Sequence, residues 1–427
     1  MLRSFRYSLR PTRAQERTLF AWLALTRELY NGALQERRAS WRQLGRGIGY
    51  YEQTHELAEV RTVRPEFGSV PVVVQRGALR RLHKAFGAFF RRCKSGEKPG
   101  YPRFKGRRRW NSLLIDDLGG KVPLVAGGKR VAIPLLGKVK VHLHRPLEGK
   151  PKALRIVHDI GRWYAVFACE DVPLKALPAS NREVGVDLGL THFAATSDGE
   201  LFENPRPLAH ARLRLERASR RVSRRKRGSG RRRAAGQLLA RAHGRVAHVR
   251  REHHIQLARR LVADYGRICV EALNVKGLAS GMLAKSVNDA GWADFLHWLR
   301  VKAEEAGREV VEVDPRGTSQ TCPACWTPAP KPLSQRVHRC DCGCALDRDV
   351  AAAQVILRLG TSRRGVAPTE GRLGSAKSEL LVANRSTTEA IGGERCRTVP
   401  AYVRARDAHV GPYRVWQTTF TYPRRKP

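Results

Sequence analysis

Five of the nine cysteines fall between Cys322 and Cys344, and no other feature limits the fold as sharply. Cys322-Pro323-Ala324-Cys325 sets two thiols on one tight turn, and Cys340-Asp341-Cys342-Gly343-Cys344 brings three more after a loop of ordinary ribbon length. Two close thiolate pairs on two turns satisfy a tetrahedral zinc site, and a site closed by four sulfurs is structural rather than catalytic. The second half is CxC rather than CxxC. A fifth cysteine is present, so Cys344 can replace Cys342 or be a bystander, and His338 is a further substitute. The plain alternative is a cluster of free thiols. A thioredoxin-like role lacks its context, since no βαβ pattern opens at Cys322. Cys93, Cys169, Cys269 and Cys396 are scattered and read as ordinary buried or inert cysteines.

Charge narrows the function next. Lys and Arg number 81 against 38 Asp and Glu, a formal net charge of +43. A field of that sign attracts polyanions, because each basic contact to a phosphate releases condensed counterions. The imbalance is steepest over residues 201–260, with 19 Lys and Arg against Glu203, Glu216 and Glu252. A purely solvated face of that composition repels itself unless an anion lies alongside. No stretch approaches the roughly 18 to 20 apolar residues of a membrane helix, and Met1-Leu2-Arg3-Ser4-Phe5-Arg6 lacks the apolar run of a signal peptide. The expectation is a cytoplasmic, nucleoid-associated protein with no membrane partner.

Phe5, Tyr7 and Leu9 alternate with polar residues and predict a short strand, stopped by Pro11. Thr12 and Gln15 have capping-box spacing, so a helix starts there. A second helix is predicted from about Val74 to Phe90, with Ala78, Leu82, Ala85 and Phe89 on one side and Arg80, Arg81 and Lys84 on the other. Strands follow at Val131 to Ile133, Val139 to Leu143, Leu154 to Val157 and Trp163 to Cys169. Beyond Asn181, Val184 to Leu190 predicts an apolar strand, and Asp198-Gly199 a hairpin within Phe193 to Phe202. Leu213, Leu238, Leu239, Val246, Ile255, Leu257 and Leu261 suggest long helices, separated by a turn at Gly228-Ser229-Gly230. Strands at Arg267 to Leu273 and Arg308 to Val313 flank a helix from Trp292 to Ala306. Alternating strands and helices predict an α/β layer fold. From about Thr361 the chain loses periodicity and reads as a mostly disordered basic tail.

Three acids stand at the edges of apolar segments. Asp187 lies in Val184-Gly185-Val186-Asp187-Leu188-Gly189-Leu190, Glu271 ends Ile268-Cys269-Val270, and Asp349 sits in Asp347-Arg348-Asp349-Val350. A carboxylate in apolar surroundings is costly unless it is paired or binds a metal. Three that converge need divalent cations between them, and two Mg²⁺ ions about 3.5–4 Å apart can clamp both oxygens of a phosphodiester displacement. Each acid also has a plainer explanation: a strand-end turn for Asp187, an ion-pair partner for Glu271, and a helix N-cap before Ala351-Ala352-Ala353 for Asp349. Tyr101, Phe104 and Trp110 interleave with Arg103, Lys105 and Arg107 to Arg109. That mixture suits base stacking with phosphate contact, or equally a hydrophobic anchor with a wet basic rim.

Taken together, these residues resemble the TnpB family, relatives of the type V CRISPR effector nucleases. The resemblance runs through Pro11-Thr12-x-x-Gln15, Tyr30-Asn31, Gly100-Tyr101-Pro102-Arg103-Phe104-Lys105 and Gly185-Val186-Asp187-Leu188-Gly189. It continues through Ser223-Arg224-Arg225-Lys226, Glu271-x-Leu273-Asn274-Val275, Asp289-Ala290-Gly291-Trp292, Thr318-Ser319-Gln320-Thr321-Cys322 and Asp347-Arg348-Asp349. The order and spacing from Gly185 onward are highly specific.

The resemblance implies an α/β multidomain protein. A wedge β-barrel would occupy residues 1–10 and 111–180, interrupted by a helical recognition domain over 11–110. A RuvC/RNase H-like nuclease would occupy 181–315 and 346–360, with a zinc ribbon inserted at 316–345 and the tail at 361–427. It implies a Mg²⁺-dependent DNA endonuclease, acting as a monomer with one guide RNA from the transposon end. That enzyme would cut double-stranded DNA beside a short motif, with sequence chosen by guide pairing. Asp187, Glu271 and Asp349 fall on the family's Mg²⁺-binding acids, and Arg348 beside them would touch the scissile phosphate. Cys322, Cys325, Cys340 and Cys342 fall on its Zn²⁺ ligands, and Tyr101, Arg103, Phe104, Lys105, Arg224, Arg225 and Lys226 on nucleic-acid-binding segments. Ala351 and Val355 stand where the family has Asn, and Trp326 where it has Gly. None of these removes a ligand. The rival expectation is an RNA-guided DNA-binding repressor with weak or lost cleavage.

Overall fold

A computed structural model describes residues 1–118, 123–332 and 334–362. Two compact units divide the chain, Met1–Val172 and the described residues from Pro173 onward. The tail expected from 361 lies, past Ser362, outside the described residues, as does Cys396.

In the first unit, seven antiparallel strands form one sheet. They are β1 (Arg3–Arg10), β2 (Ser112–Ile115), β3 (Leu124–Val125), β4 (Arg130–Ile133), β5 (Gly137–His142), β6 (Lys150–Asp159) and β7 (Arg162–Glu170), in the order β2-β6-β7-β1-β5-β4-β3. Strand β1 is as predicted, with Phe5, Tyr7 and Leu9 all buried. Between β1 and β2 run helices α1 (Arg13–Leu44), α2 (Tyr50–His55), α3 (Leu57–Val63) and α4 (Val72–Lys94). The capping box forms: Gln15 N donates to Thr12 Oγ1 at 3.3 Å and Thr12 N to Gln15 Oε1 at 3.1 Å. Leu19, Trp22, Leu29 and Leu34 of α1 share one core with Leu79 and Leu82 of α4 and with the inner residues of the sheet. The short α2 and α3 have too few turns to give a period, and the sequence does not reveal them.

The second unit holds a mixed sheet in the order β10-β9-β8-β11-β12, from β8 (Glu183–Asp187), β9 (His192–Thr196), β10 (Leu201–Glu203), β11 (Arg267–Glu271) and β12 (Glu309–Val313). Strands β8, β11 and β12 are parallel, whereas β9 and β10 run antiparallel as the predicted hairpin. Helices α5 (Pro207–Ser223) and α6 (Gly230–Asp264) separate β10 from β11, and α7 (Val275–Leu278), α8 (Ala284–Ala290) and α9 (Trp292–Ala306) separate β11 from β12. A small hairpin of β13 (Val337–Arg339) and β14 (Ala345–Asp347) then leads into α10 (Arg348–Ser362).

One expectation is corrected here. The strand predicted to reach Leu190 stops at Asp187, because Gly189 N donates to Phe193 O at 3.2 Å and turns the chain into β9. The long helices form as expected; Leu213 and Leu238 face solvent, and α5 and α6 meet through Leu215, Ala242 and Val246. The main core of this unit joins Val184, Val186, Phe193, Leu257, Leu261, Ile268, Val270, Phe295 and Leu299. Among the described residues, no helix is long and apolar enough to cross a membrane.

Candidate active site and metal centre

Asp187 closes β8 and Glu271 closes β11. The two strands are parallel neighbours with Val186 opposite Val270, so both acids stand at the carboxyl edge of the sheet. Open α/β sheets collect ligands at that edge. Asp349 arrives from the first turn of α10, and two glycines let that helix press directly on the strands. A Cβ at Gly185 would lie 1.9 Å from Ala353 O, and one at Gly360 2.2 Å from Cys269 Sγ. Ala351 and Val355, the positions that depart from the resembled pattern, are buried.

The expected N-cap role of Asp349 is not what forms. Asp347 Oδ1 accepts from the amides of Asp349 at 2.9 Å and Val350 at 3.3 Å, so Asp347 caps the helix. Asp349 keeps its carboxylate free of that duty, with Oδ2 3.7 Å from His192 Nδ1. Glu271 is 9% exposed and accepts from Thr318 Oγ1 at 2.5 Å. Burial, followed by the negative charges of Glu271 and Asp349, pushes Asp187 well above the ordinary carboxylate range; the Leu188 amide and Arg348 pull the other way. Burial also raises Glu271, and the Thr318 hydroxyl offsets part of it. Asp187 thus feels both of the other carboxylates. The three are not drawn into a tight nest, because the only ligand sets within 4.8 Å among the described residues are built on cysteine. Hard carboxylate oxygens held apart suit Mg²⁺, which takes few protein ligands and shares its shell with water and phosphate.

Arg348 is 7% exposed, and its Nη1 donates to Pro332 O at 2.8 Å and Gln335 O at 3.3 Å. It ties the start of α10 to the segment before β13. The sequence does not single out Thr318 or His192, which the fold brings beside these acids. Thr318 falls in the Thr318-Ser319-Gln320-Thr321-Cys322 motif without a role of its own, and His192 has no signal beyond its place after Gly189. Asp289 of the Asp-Ala-Gly-Trp motif accepts from Leu208 N and from Arg250 Nη2 at 2.8 Å, and so anchors the start of α5.

The cysteine cluster is assembled more tightly. Cys322 Sγ lies 3.7 Å from Cys342 Sγ, and Cys325 Sγ 3.5 Å from Cys340 Sγ. A tetrahedron with metal–sulfur bonds of about 2.3 Å has edges of about 3.8 Å, so these thiols fit zinc. Trp326 N donates to Cys322 O and Gly343 N to Cys340 O, each at 3.0 Å, which closes the two turns. Hydrogen bonding of Cys325 with the Thr327 side chain and backbone lowers its thiol to about 6, which favours the thiolate a metal needs. Trp326 adopts φ +64°, the left-handed backbone that favours glycine, and Arg358 lies 4.4 Å from its ring centre.

The aromatic-basic loop of the first unit divides the two alternatives residue by residue. Trp110 is the anchor: it is buried, donates to Thr26 Oγ1 at 3.0 Å and lies under Arg81. Tyr101 and Phe104 are 45% and 41% exposed, with Arg103 and Lys105 beside them. Asn31 pins this loop through both its oxygen and its nitrogen to the backbone of Lys105. Arg224 and Arg225 follow α5 rather than lying within it, as does the exposed Lys226. With Arg217, Arg220 and Arg221 the two arginines line a groove of about 450 Å³.

Three family profiles match. One described as a probable transposase (OrfB_IS605) covers residues 166–281, a Cas12f1-like TNB domain covers 292–356, and a helix-turn-helix profile covers 1–46. A protein of Streptomyces pristinaespiralis named "Putative RNA-guided DNA endonuclease" is 33% identical over 369 residues, covering 84% of this chain and 89% of that protein. The chain belongs to the TnpB family. A member from Escherichia coli K12, with the same printed name and the suffix InsQ, is 26% identical over 84% of this chain and 92% of its own length. A solved structure described as the mini-RNA-guided endonuclease CRISPR-Cas_phi3 has a TM-score of 0.46 at 10% identity, covering 84% of this chain and 92% of that one. That likeness is too remote to bear on the fold. The helix-turn-helix name does not describe residues 13–44, which form one continuous helix.

Proposed function

We propose that this family member is an RNA-guided DNA endonuclease whose second unit is a RuvC-like nuclease with the ribbon inserted ahead of α10. The observation that carries the proposal is the placing of Asp187 and Glu271 at the carboxyl ends of the parallel strands β8 and β11, with Asp349 of α10 beside them, where burial and the repulsion felt by Asp187 call for a cation. Bound there, Mg²⁺ ions would supply Lewis acidity and neutralise phosphate charge. The chain's own residues do the rest. Thr318 fixes the Glu271 carboxylate, Arg348 holds the start of α10 so that Asp349 faces the strands, and Gly185 sets the distance between helix and sheet. In this reading Arg348 is a positioning residue.

The arginine-lined groove after α5, and Tyr101, Arg103, Phe104 and Lys105 in the first unit, are assigned to guide RNA and heteroduplex. The first unit, a sheet carrying inserted helices, supports the wedge and recognition roles of residues 1–180. Expression with the native transposon flank, sequencing of the bound RNA, and incubation with Mg²⁺ and matching plasmid test the proposal. One RNA species and guided double-strand cuts that vanish in Asp187→Ala are expected. Guided binding without cuts would instead establish the repressor, and recovery of no RNA would sink the RNA-guided reading.

A further inference from the structure

The ribbon holds more metal ligands than one zinc requires. Besides the four thiols, a ring nitrogen of His338 and the Sγ atoms of Cys322 and Cys344 lie within 4.8 Å of one another. Cys322 is common to both sets. His338 is fully enclosed on β13, opposite Leu346 of β14. Its Nδ1 is 2.6 Å from Lys331 Nζ, and its Nε2 is buried with no hydrogen-bond partner among the described residues. A buried ring nitrogen left without a partner is disfavoured unless the site supplies one at some stage.

Cys344 is held by the same backbone that holds the first set, since Cys340 N donates to Cys344 O at 3.0 Å. The two sets also differ in exposure. Cys325 and Cys342 are exposed and Cys340 is half-buried, whereas Cys322 and His338 are buried and Cys344 is half-buried. The four-thiol set therefore faces solvent along one edge, and the second set lies inward of it. Zinc has no geometric preference of its own and accepts sulfur and imidazole nitrogen alike, so a modest shift would exchange ligands without dismantling the turns.

We propose that Cys344 and His338 are reserve ligands: when the exposed Cys342 is lost, the metal stays in the ribbon on Cys322, Cys344 and His338 with a remaining thiol. This rests on the reading that the ribbon binds metal. Functionally, it gives a thiol-rich site tolerance to chemical damage at its exposed edge.

The test uses the full-length chain, stripped by chelation and titrated with Co²⁺, whose visible bands report its ligands. Cys342→Ser is expected to bind one equivalent within about tenfold of the unsubstituted protein, with bands moved to shorter wavelength as nitrogen replaces sulfur. Adding His338→Ala or Cys344→Ser to Cys342→Ser is expected to weaken binding by a further hundredfold or so. Cys342→Ser alone binding as weakly as the double variants, or keeping unshifted bands, would overturn the proposal. So would a band shift in His338→Ala or Cys344→Ser alone, because it would reveal a single mixed set. An unsubstituted protein that binds no Co²⁺ would defeat the ribbon reading itself, and this inference with it. Native mass spectrometry after limited alkylation needs no substitution: chains alkylated once, at Cys342, keep their zinc, and loss of zinc with that first group overturns the idea.

Discussion

The second unit carries two candidate metal sites that the chain prepares to different degrees. The cysteine ribbon brings four thiols within 4.8 Å, and local amide bonds close its turns. The carboxylate site takes one acid from each of two strands and one from a helix, and leaves them short of that mutual distance. Soft thiolates on two tight turns need only their metal to be complete, as suits a structural ion. Carboxylates on separate elements remain open, as suits ions that share their shell with a substrate phosphate.

The sharpest way to break this contrast is to remove one ligand from each site. Cys322→Ser, which strikes both ligand sets, should release the metal and lower the melting temperature by more than about 10 °C. Circular dichroism and metal content would check it; an unchanged melting temperature would deny the ribbon its structural role. Asp187→Asn should act in the opposite sense. Guided DNA cleavage falls by about a thousandfold, while the metal-free protein melts a few degrees higher because a buried, repelled charge is gone. A fall in stability would mean that Asp187 is a structural partner rather than a metal ligand.

Proton linkage sharpens the same point. Asp187 and Glu271 have raised values in the folded chain. Their contribution to stability is fully present below the ordinary carboxylate range and is lost as pH rises through the raised values. The metal-free melting temperature should therefore fall as pH climbs toward neutrality, and Mg²⁺ should restore more stability the higher the pH. Scanning calorimetry with and without Mg²⁺ checks both slopes, and parallel slopes would remove the ion from this site. The smallest effect is expected from Thr318→Val, which leaves Glu271 without its hydroxyl donor. A loss of about 1–2 kcal/mol in transition-state stabilisation, or roughly tenfold in cleavage rate, should appear with little change in melting temperature.

Much of this was visible in the sequence because it is local. The alternation of Phe5, Tyr7 and Leu9 marked β1, the Thr12–Gln15 pair marked the start of α1, and Trp292 to Ala306 is the helix the periodicity described. The two CxxC-like turns brought their own geometry with them. Harder cases arose where neighbouring residues of one type compete. Asp347 and Asp349 are two positions apart and either can cap a helix, and only the fold assigns the cap to Asp347. Trp110 and Tyr101 lie in one aromatic-basic stretch, yet one is buried under Arg81 and the other faces solvent.

By itself, the sequence determined which chemistry the protein carries: an excess of cations, a set of close thiols and three acids at the ends of apolar runs, all fixed by composition and short spacing. Tertiary structure decided which of these groups meet. The bond from Thr318 to Glu271 joins residues 47 positions apart, and His192 reaches Asp349 from the far side of the unit's sequence. The seating of α10 depends on the missing side chains of Gly185 and Gly360. Such contacts follow from strand order and helix packing, which are properties of the whole chain's burial rather than of any local pattern.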